Sequence, residues 1–355
     1  MTRIKKAHPK NISIVDVARA SGVSITTVSR VINKIGTVKE SNRIKVASAI
    51  KDLKFQPSIF AQRLATGRSN VVALVIPRYE GVFYSFYALE LIRGVGTMCE
   101  VLKLDLLLHL TDARTPLSLR GVGGIIFSDI IGNRVQLEDS LAKGIPSVVI
   151  NYYVDDLDVS CIAIDNAGGA ESAVNYLIEL GHKKIAHITG DIMTQAAAKR
   201  LEGYKRALEK NNIKLRNDYI FETDYSRGQA RSAAERLIKS ADPATAVFVA
   251  SDAMALEVMA VARELGKNIP DDLSIIGFDD NPSGLYGPVG LTTVRQPLIR
   301  MAEESVKELN RLISLKSATN RGGSAMVSGG KNAPRKILLP AELVIRESCK
   351  PFSGG

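Results

Sequence analysis

The chain has 355 residues, with 47 Lys or Arg against 37 Asp or Glu and a formal net charge of +10. Residues 1–70 hold 14 of the basic and 3 of the acidic residues, so the whole excess sits in the first fifth and the rest is near neutral. That footprint points to a polyanionic partner. No apolar run approaches the roughly 20 residues of a membrane span. No apolar stretch follows the basic N-terminus, so export is not expected. Cys99, Cys161 and Cys349 are odd in number and scattered, which fits a reduced cytoplasm better than a disulfide framework or a metal knuckle.

In chain order, residues 1–11 read as a disordered basic tail. Residues 13–33, SIVDVARASGVSITTVSRVIN, then read as two short helices joined by a tight turn. Ser13 and Asp16 form a capping box, and Ile14, Val17 and Ala18 fall on one face. Gly22 suits the left-handed backbone that ends a helix. Ser24 caps the second helix, Val28, Val31 and Ile32 form its buried stripe, and Thr26, Thr27, Ser29, Arg30 and Asn33 lie opposite. A solvated face on two packed helices is the plain reading of that pattern. The coincidence with the basic excess favours a helix-turn-helix whose second helix enters the DNA major groove. A third helix is expected over residues 37–54, with Thr37 and Glu40 as a capping box and Val46, Ala47, Ile50 and Leu53 as its stripe. Residues 12–56 thus make a small all-α DNA-binding domain.

Pro57 breaks the third helix. Residues 58–64 can form one more short helix, too short to be stable alone, so residues 57–70 read as a hinge helix and linker. From Val71 the grammar changes. Apolar runs at 71–76, 104–110, 124–128 and 147–151, then at 184–189, 245–250 and 273–279, alternate with amphipathic stretches. Continuous apolar strands between helices imply parallel sheets covered on both faces. Two series imply two α/β lobes, a first over about 71–160 plus part of the C-terminal region and a second over about 161–295. A C-terminal helix over 297–314 crosses back, and KILLPAELVIRE closes the fold as an edge strand. Residues 317–332, rich in Gly and Ser, read as a flexible loop. Ligands of such sheets bind beyond the carboxyl ends of the strands, which puts a cleft between the lobes.

Catalysis finds no support. His8, His109, His182 and His187 are isolated from metal-ligand spacings. His182 reads as a helix C-terminal dipole partner. Gly121, Gly123 and Gly124 precede a strand rather than join strand to helix, and no phosphate loop or nucleophile elbow occurs. No cofactor is called for.

Several stretches together resemble the lactose repressor/galactose repressor family of bacterial transcription regulators: IVDVARASGVSITTVSRVIN, PSIFAQRLATGRSN, DNAGGAESAVNYLIELGHKKIAHI, LSIIGFDDNP, LTTVRQP and LPAELVIRES. The resemblance runs from Ser13 to about Ser348. It implies a multidomain regulator, a helix-turn-helix head followed by a two-lobed, periplasmic-binding-protein-like type I effector domain with parallel sheets. It implies a homodimer on a pseudo-palindromic double-stranded operator, in the cytoplasm at the nucleoid; ESCKPFSGG has no heptads, so a tetramer is less expected. Ile25, Thr26 and Arg30 would read bases, with Ser13, Ser24, Thr27, Ser29 and Asn33 at or near phosphates. Ala61 and Leu64 would lie on a minor-groove hinge helix, Leu64 as its wedge. In the cleft the resemblance places Arg200 and Asp279 on effector hydroxyls, and the strand ends add Arg78, Tyr79, Phe83, Ser128, Asn151 and Ser251. The chain departs from the family pattern at Arg78, Asn151 and Ser251. Two of these changes make the cleft more positive, which favours a sugar acid or sugar phosphate over a neutral sugar. Segment 77–93 is longer than usual and segment 112–120 too short for a helix. The rival reading is a DNA-binding dimer whose lobes serve dimerisation or a protein co-regulator.

Overall fold

A computed structural model describes residues 12–33, 36–55, 69–79, 81–118, 121–287, 289–319 and 333–353. The chain divides into two compact units, Met1–Asn70 and Val71–Gly355. The expected basic tail, the hinge helix with Ala61 and Leu64, and loop residues 320–332 lie outside the described residues.

The first unit holds α1 (Ile14–Ser21), α2 (Ile25–Asn33) and α3 (Glu40–Asp52). Its start is written in caps. The Asp16 amide donates to Ser13 Oγ at 3.4 Å and the Ser13 amide to Asp16 Oδ2 at 2.9 Å. Gly22 ends α1 at φ 67°, where a side chain would be strained. The Thr27 amide then donates to Ser24 Oγ. Val17, Ala18, Val28, Val46 and Ala49 close a small core, with Ile14, Val31, Ile32, Ile50, Leu53 and Phe55 around it. Two details differ from the sequence reading. Lys39, not Thr37, precedes α3 and makes no side-chain cap, so the expected second capping box is not formed. Ala49 rather than Ala47 faces the core, since Ala49 stands i+3 from the buried Val46 while Ala47 is turned about 100° away from it.

The second unit is two lobes sharing three chain crossings. The first lobe contains β1 (Val71–Pro77), α4 (Phe86–Val101), β2 (Asp105–Thr111), β3 (Gly124–Ser128), α5 (Arg134–Ala142), β4 (Ser147–Ile150) and β5 (Ser160–Ile164). The second contains α6 (Asn166–Glu179), β6 (Ile185–Ile188), α7 (Gln195–Lys210), β7 (Ile220–Phe221), α8 (Arg227–Ile238), β8 (Ala246–Val249), α9 (Asp252–Glu264), β9 (Ser274–Asp279) and β10 (Thr292–Arg295). The chain returns for α10 (Leu298–Thr319) and β11 (Lys336–Leu339), then crosses again into β12 (Glu342–Val344). The sheet orders are β11-β5-β4-β3-β1-β2 and β12-β10-β9-β8-β6-β7, parallel throughout except the β10–β12 pair. β5 was not foreseen as a strand of the first lobe; it pairs with β4 and β11, so the first crossing falls after Ile164 rather than near residue 160. Helix α10 packs Leu298, Met301, Ala302, Val306 and Leu309 into the first lobe's core. It continues through Ser317, whose hydroxyl donates to Ile313 O, so the expected loop does not begin at Ser317. No helix is described between β2 and β3, as the short 112–120 segment implied.

His182 is not a charged dipole partner. It is buried between Thr245 Oγ1 (2.9 Å) and the Lys350 carbonyl (3.1 Å), and burial lowers its pKa, which keeps it neutral. The three cysteines are free thiols. Among the described residues no helix is long and apolar enough to cross a membrane.

Within the second lobe α6 and α7 approach backbone to backbone at Gly203, where an added Cβ would lie 2.2 Å from Ala167 O and 2.9 Å from Ala170 Cβ. By contrast Gly96, on α4, faces open space. We expect Gly203→Ala to destabilise by about 1–3 kcal/mol, and Gly96→Ala to be neutral or to stabilise by up to about 1 kcal/mol. Urea unfolding followed by circular dichroism measures both; equal effects would contradict the helix contact.

Candidate functional site

The recognition surface begins with the caps. Ser24 Oγ is shared between the Thr27 amide and Thr27 Oγ1 (2.9 Å), so both side chains are held at the N-terminus of α2. Ser13 Oγ is likewise bound to Asp16. Asn33 Nδ2 donates to Ser29 Oγ at 3.2 Å, and both residues are half-buried. Ile25, Thr26 and Arg30 stand exposed, Ile25 with 48% of its surface accessible. Arg30 makes no ion pair among the described residues, although Arg19 and Arg43 each pair with an acid of their own helix. An unpaired guanidinium on a rigid helix, with hydroxyl caps at its start, is equipped for phosphate grip and base reading.

The second site lies between the lobes. Arg200, 4% exposed on α7, is locked on three sides: Nε donates to Asn166 Oδ1 at 2.9 Å, Nη1 to Ala250 O at 2.6 Å, and the guanidinium stacks 3.7 Å over the Phe278 ring. These partners come from the start of α6 and the ends of β8 and β9, so the fold places the cation at the carboxyl edge of the sheet. Asp279 ends β9 at φ 136°, a conformation costly for a residue with a Cβ. Its Oδ1 accepts from Gln296 Nε2 at 2.5 Å. Asp252, the first residue of α9, stands behind it and accepts from Thr293 Oγ1 (2.6 Å) and the Asn281 amide (2.7 Å). Burial raises the pKa of both carboxyls; Asp279 raises Asp252 further, and Arg200 opposes the rise at Asp279.

The facing wall comes from the first lobe. Ser128 is buried and its Oγ sits 3.4 Å from Tyr87 OH. Asn151, at φ 62°, is 7% exposed and its Oδ1 has no partner among the described residues. Asp129 follows Ser128 with φ 73°, and its carboxylate accepts from the Ile130 amide at 2.9 Å. Burial pushes that carboxyl up to about 7. Burial raises the hydroxyl pKa of Tyr79 and Tyr87 on the same lobe and of Tyr225 on the other, and the Asp129 charge adds a smaller rise to each. Tyr225 also feels Arg200 and Asp279, so these groups converge across the cleft. Its ring lies on Gly190, where a Cβ would fall 1.9 Å from Tyr225 Cζ. A 310 Å³ cavity also separates Phe86, Glu90 and Arg93 of α4 from Asp279, Asp280 and Gln296. A larger recess of 480 Å³, lined by Asp218, Phe221, Glu235 and Arg236, carries none of these groups.

Of the residues singled out in the sequence, Arg200, Asp279, Ser128, Asn151 and Tyr79 gather around the cleft. Ser251 is buried beside them, but its hydroxyl is spent capping α9 through the Met254 amide. Phe83 is 54% exposed in a 3-10 turn, Val82–Tyr84, and nothing brings its ring to the other groups. Arg78 is exposed and its charge acts on Asp112. The positive cleft inferred from Arg78 is therefore corrected: Arg78 stands out in solvent, and Arg200 lies among the buried carboxyls of Asp252 and Asp279 with Asp129 on the facing lobe. Asp129, Tyr87, Tyr225, Asp252 and Gln296 were not singled out. Gln296 stood in the LTTVRQP stretch and Asp129 directly after a predicted strand, so position alone pointed to both.

Comparison with known proteins fits both sites. Residues 13–58 match the bacterial regulatory proteins of the lacI family and residues 174–349 a periplasmic binding protein-like domain. The HTH-type transcriptional regulator DegA of Bacillus subtilis is 33% identical over 352 residues, covering 96% of this chain and 99% of DegA. The chain belongs to the lacI family of bacterial regulatory proteins. The transcriptional repressor PurR of Vibrio vulnificus is 33% identical over 96% of this chain and 99% of its own. Among solved structures, the CelR–cellobiose complex superposes with a TM-score of 0.69 at 27% identity, covering 95% of this chain and 99% of CelR. The lac repressor dimer bound to operator and the anti-inducer ONPF gives 0.77 at 23% identity, covering 96% and 100%, which speaks to the fold. The protein is thus a DNA-binding transcriptional regulator of the helix-turn-helix type, not an enzyme.

The raised value at Asp129 has a consequence for stability. Its folded value lies above the ordinary unfolded value near 4, so its contribution is full below that and lost as pH rises through about 7. Asp129→Asn should therefore gain melting temperature on the unsubstituted protein as pH rises from about 5 to about 8. Taking the difference between the two proteins cancels the opposing histidines and the Asp252–Asp279 pair. Parallel melting curves across that range would show that Asp129 is not desolvated.

Proposed function

We propose that the regulator is a repressor that binds a pseudo-palindromic operator as a homodimer and is controlled by a small polyol held between its lobes. The observation that carries this is the locked pair of Arg200 and Asp279 at the carboxyl edge of the second sheet. A guanidinium fixed by three partners, facing a carboxylate with lone pairs to spare, is preorganised for hydroxyl groups. Relatives support the same reading: the PurR proteins are named repressors, CelR was solved with cellobiose, and the lac repressor as a dimer on operator. Exposed Leu285 and Tyr286, on the turn after β9, offer apolar surface that a partner subunit would cover.

In this reading Ile25, Thr26 and Arg30 enter the major groove and the capped serines hold phosphates. Effector binding changes the angle between lobes and shifts the population between DNA-competent and incompetent states, with a coupling of about 1–3 kcal/mol. The rival is a dimer whose lobes answer to a protein co-regulator, which needs no locked Arg200–Asp279 pair.

Two measurements test the halves separately. Arg30→Ala should lose about 1–3 kcal/mol of discrimination for its operator, while weak, salt-sensitive binding to any duplex survives; unchanged discrimination in a fluorescence-anisotropy titration would remove the recognition role. For the cleft, a thermal-shift panel of sugars, sugar acids, sugar phosphates and nucleobases should contain a ligand that stabilises by about 2.7 kcal/mol at 100 times its Kd. Asp279→Ala should abolish that shift. A silent panel together with normal operator regulation by Asp279→Ala would favour the co-regulator.

A further inference from the structure

The cleft has more acceptors than donors. On the first-lobe wall, Asn151 Oδ1 is buried without a partner, and the Asp129 carboxylate receives one hydrogen bond, from the adjacent amide. On the second, Gln296 Oε1 is also buried and unpartnered while its Nε2 serves Asp279. Arg200 makes no ion pair with Asp129 among the described residues, and its Nε and Nη1 are spent on Asn166 and Ala250. The neighbouring hydroxyls do not answer Asp129 either. Tyr87 OH is paired with Ser128. Tyr79 and Tyr87 of the same lobe and Tyr225 of the other all feel the Asp129 charge, yet among the described residues none donates to it.

A half-buried carboxylate with no ion pair and a single hydrogen bond favours a cationic guest, since an ammonium answers the anion with both charge and N–H donors. Hydroxyls alone would leave the charge uncompensated once the lobes exclude water. We propose that Asp129, with Tyr79, Tyr87 and Tyr225, forms an ammonium subsite, and that the effector is an amine-bearing polyol. This rests on the cleft being the effector site and fixes the class of effector. The hydroxyl end goes to Arg200 and Asp279, the amine to Asp129, and Asn151 Oδ1 takes a second N–H.

Calorimetric titration of the full chain with D-glucose, D-gluconate and D-glucosamine tests it. D-glucosamine should bind about 10-fold tighter than D-glucose, equivalent to about 1.4 kcal/mol. Asp129→Asn, nearly isosteric, should erase that preference, bringing the two affinities within about 2-fold of each other, whereas Tyr225→Phe, which keeps the ring, should retain it. D-glucose or D-gluconate binding tighter than D-glucosamine overturns the ammonium subsite and leaves the sugar sensor standing. Silence from all three also overturns it, and the wider panel then judges the sensor alone. A preference that survives Asp129→Asn places the amine elsewhere and overturns the assignment too.

Discussion

Burying the Arg200 guanidinium is the constraint around which the second lobe is arranged. A cation taken out of water is costly unless its donors are met and its charge answered. The chain meets the donors from two separate places, the first residue of α6 and the carbonyl just past β8, and covers the flat face with Phe278. Charge is answered by Asp279, whose carboxyl Arg200 holds down against a rise from burial. Each partner sits at the carboxyl end of a strand or the amino end of a helix, so the site exists only when several loops close together. That makes it a joint as well as a binding surface.

Behind it Asp252 ties the same joint from the other side. Its two oxygens hold the Asn281 amide and Thr293, and it lies so close under Gly277 that a Cβ there would come within 2.1 Å. Asp279 and Asp280 both adopt positive φ in consequence, one turned into the cleft and the other out to Arg295 and Arg346. Arg295 and Gln296 belong to the second crossing between lobes, and Arg346 follows β12, the strand reached by the third. A ligand that pulls on Asp279 therefore pulls on two of the three connections between lobes. Packed elements of this kind have discrete arrangements rather than a continuum, which is what a switch requires.

Much of this was legible in the chain. Caps and a basic excess wrote out the helix-turn-helix. Parallel strands read as unbroken apolar runs, which made seven of them legible, including β2, a half-exposed edge strand. β5 was not legible because SCIAI is short and opens on Ser and Cys, and one of its two partners, β11, lies 175 residues on (336 − 161). Arg200 and Asp279 were legible through resemblance. Asp129 had only its place after a strand to mark it, and Tyr87 and Tyr225 had nothing, because their meaning lies in which strand ends face one another, a fact no local pattern contains. Arg78 failed for a related reason: its position at a strand end was known, but its exposure and its neighbour Asp112 were not. His182 is legible as a residue at a helix end, but not as one buried between Thr245 and the Lys350 carbonyl, where burial lowers its pKa.

The two sites use opposite electrostatics. The head has a segment of 14 basic and 3 acidic residues, and Arg30 stands exposed without an ion pair among the described residues. Such binding is driven by counterion release and weakens steeply with salt. The cleft keeps its charges few, partly buried and fixed by named hydrogen bonds, where a salt screen of about 8–10 Å has little purchase. Ionic strength can thus set the general grip on DNA while leaving the cleft's affinity nearly untouched. A regulator built this way separates two demands. Non-specific attraction is tuned by the medium, and the decision to hold or release is left to a site the medium barely reaches.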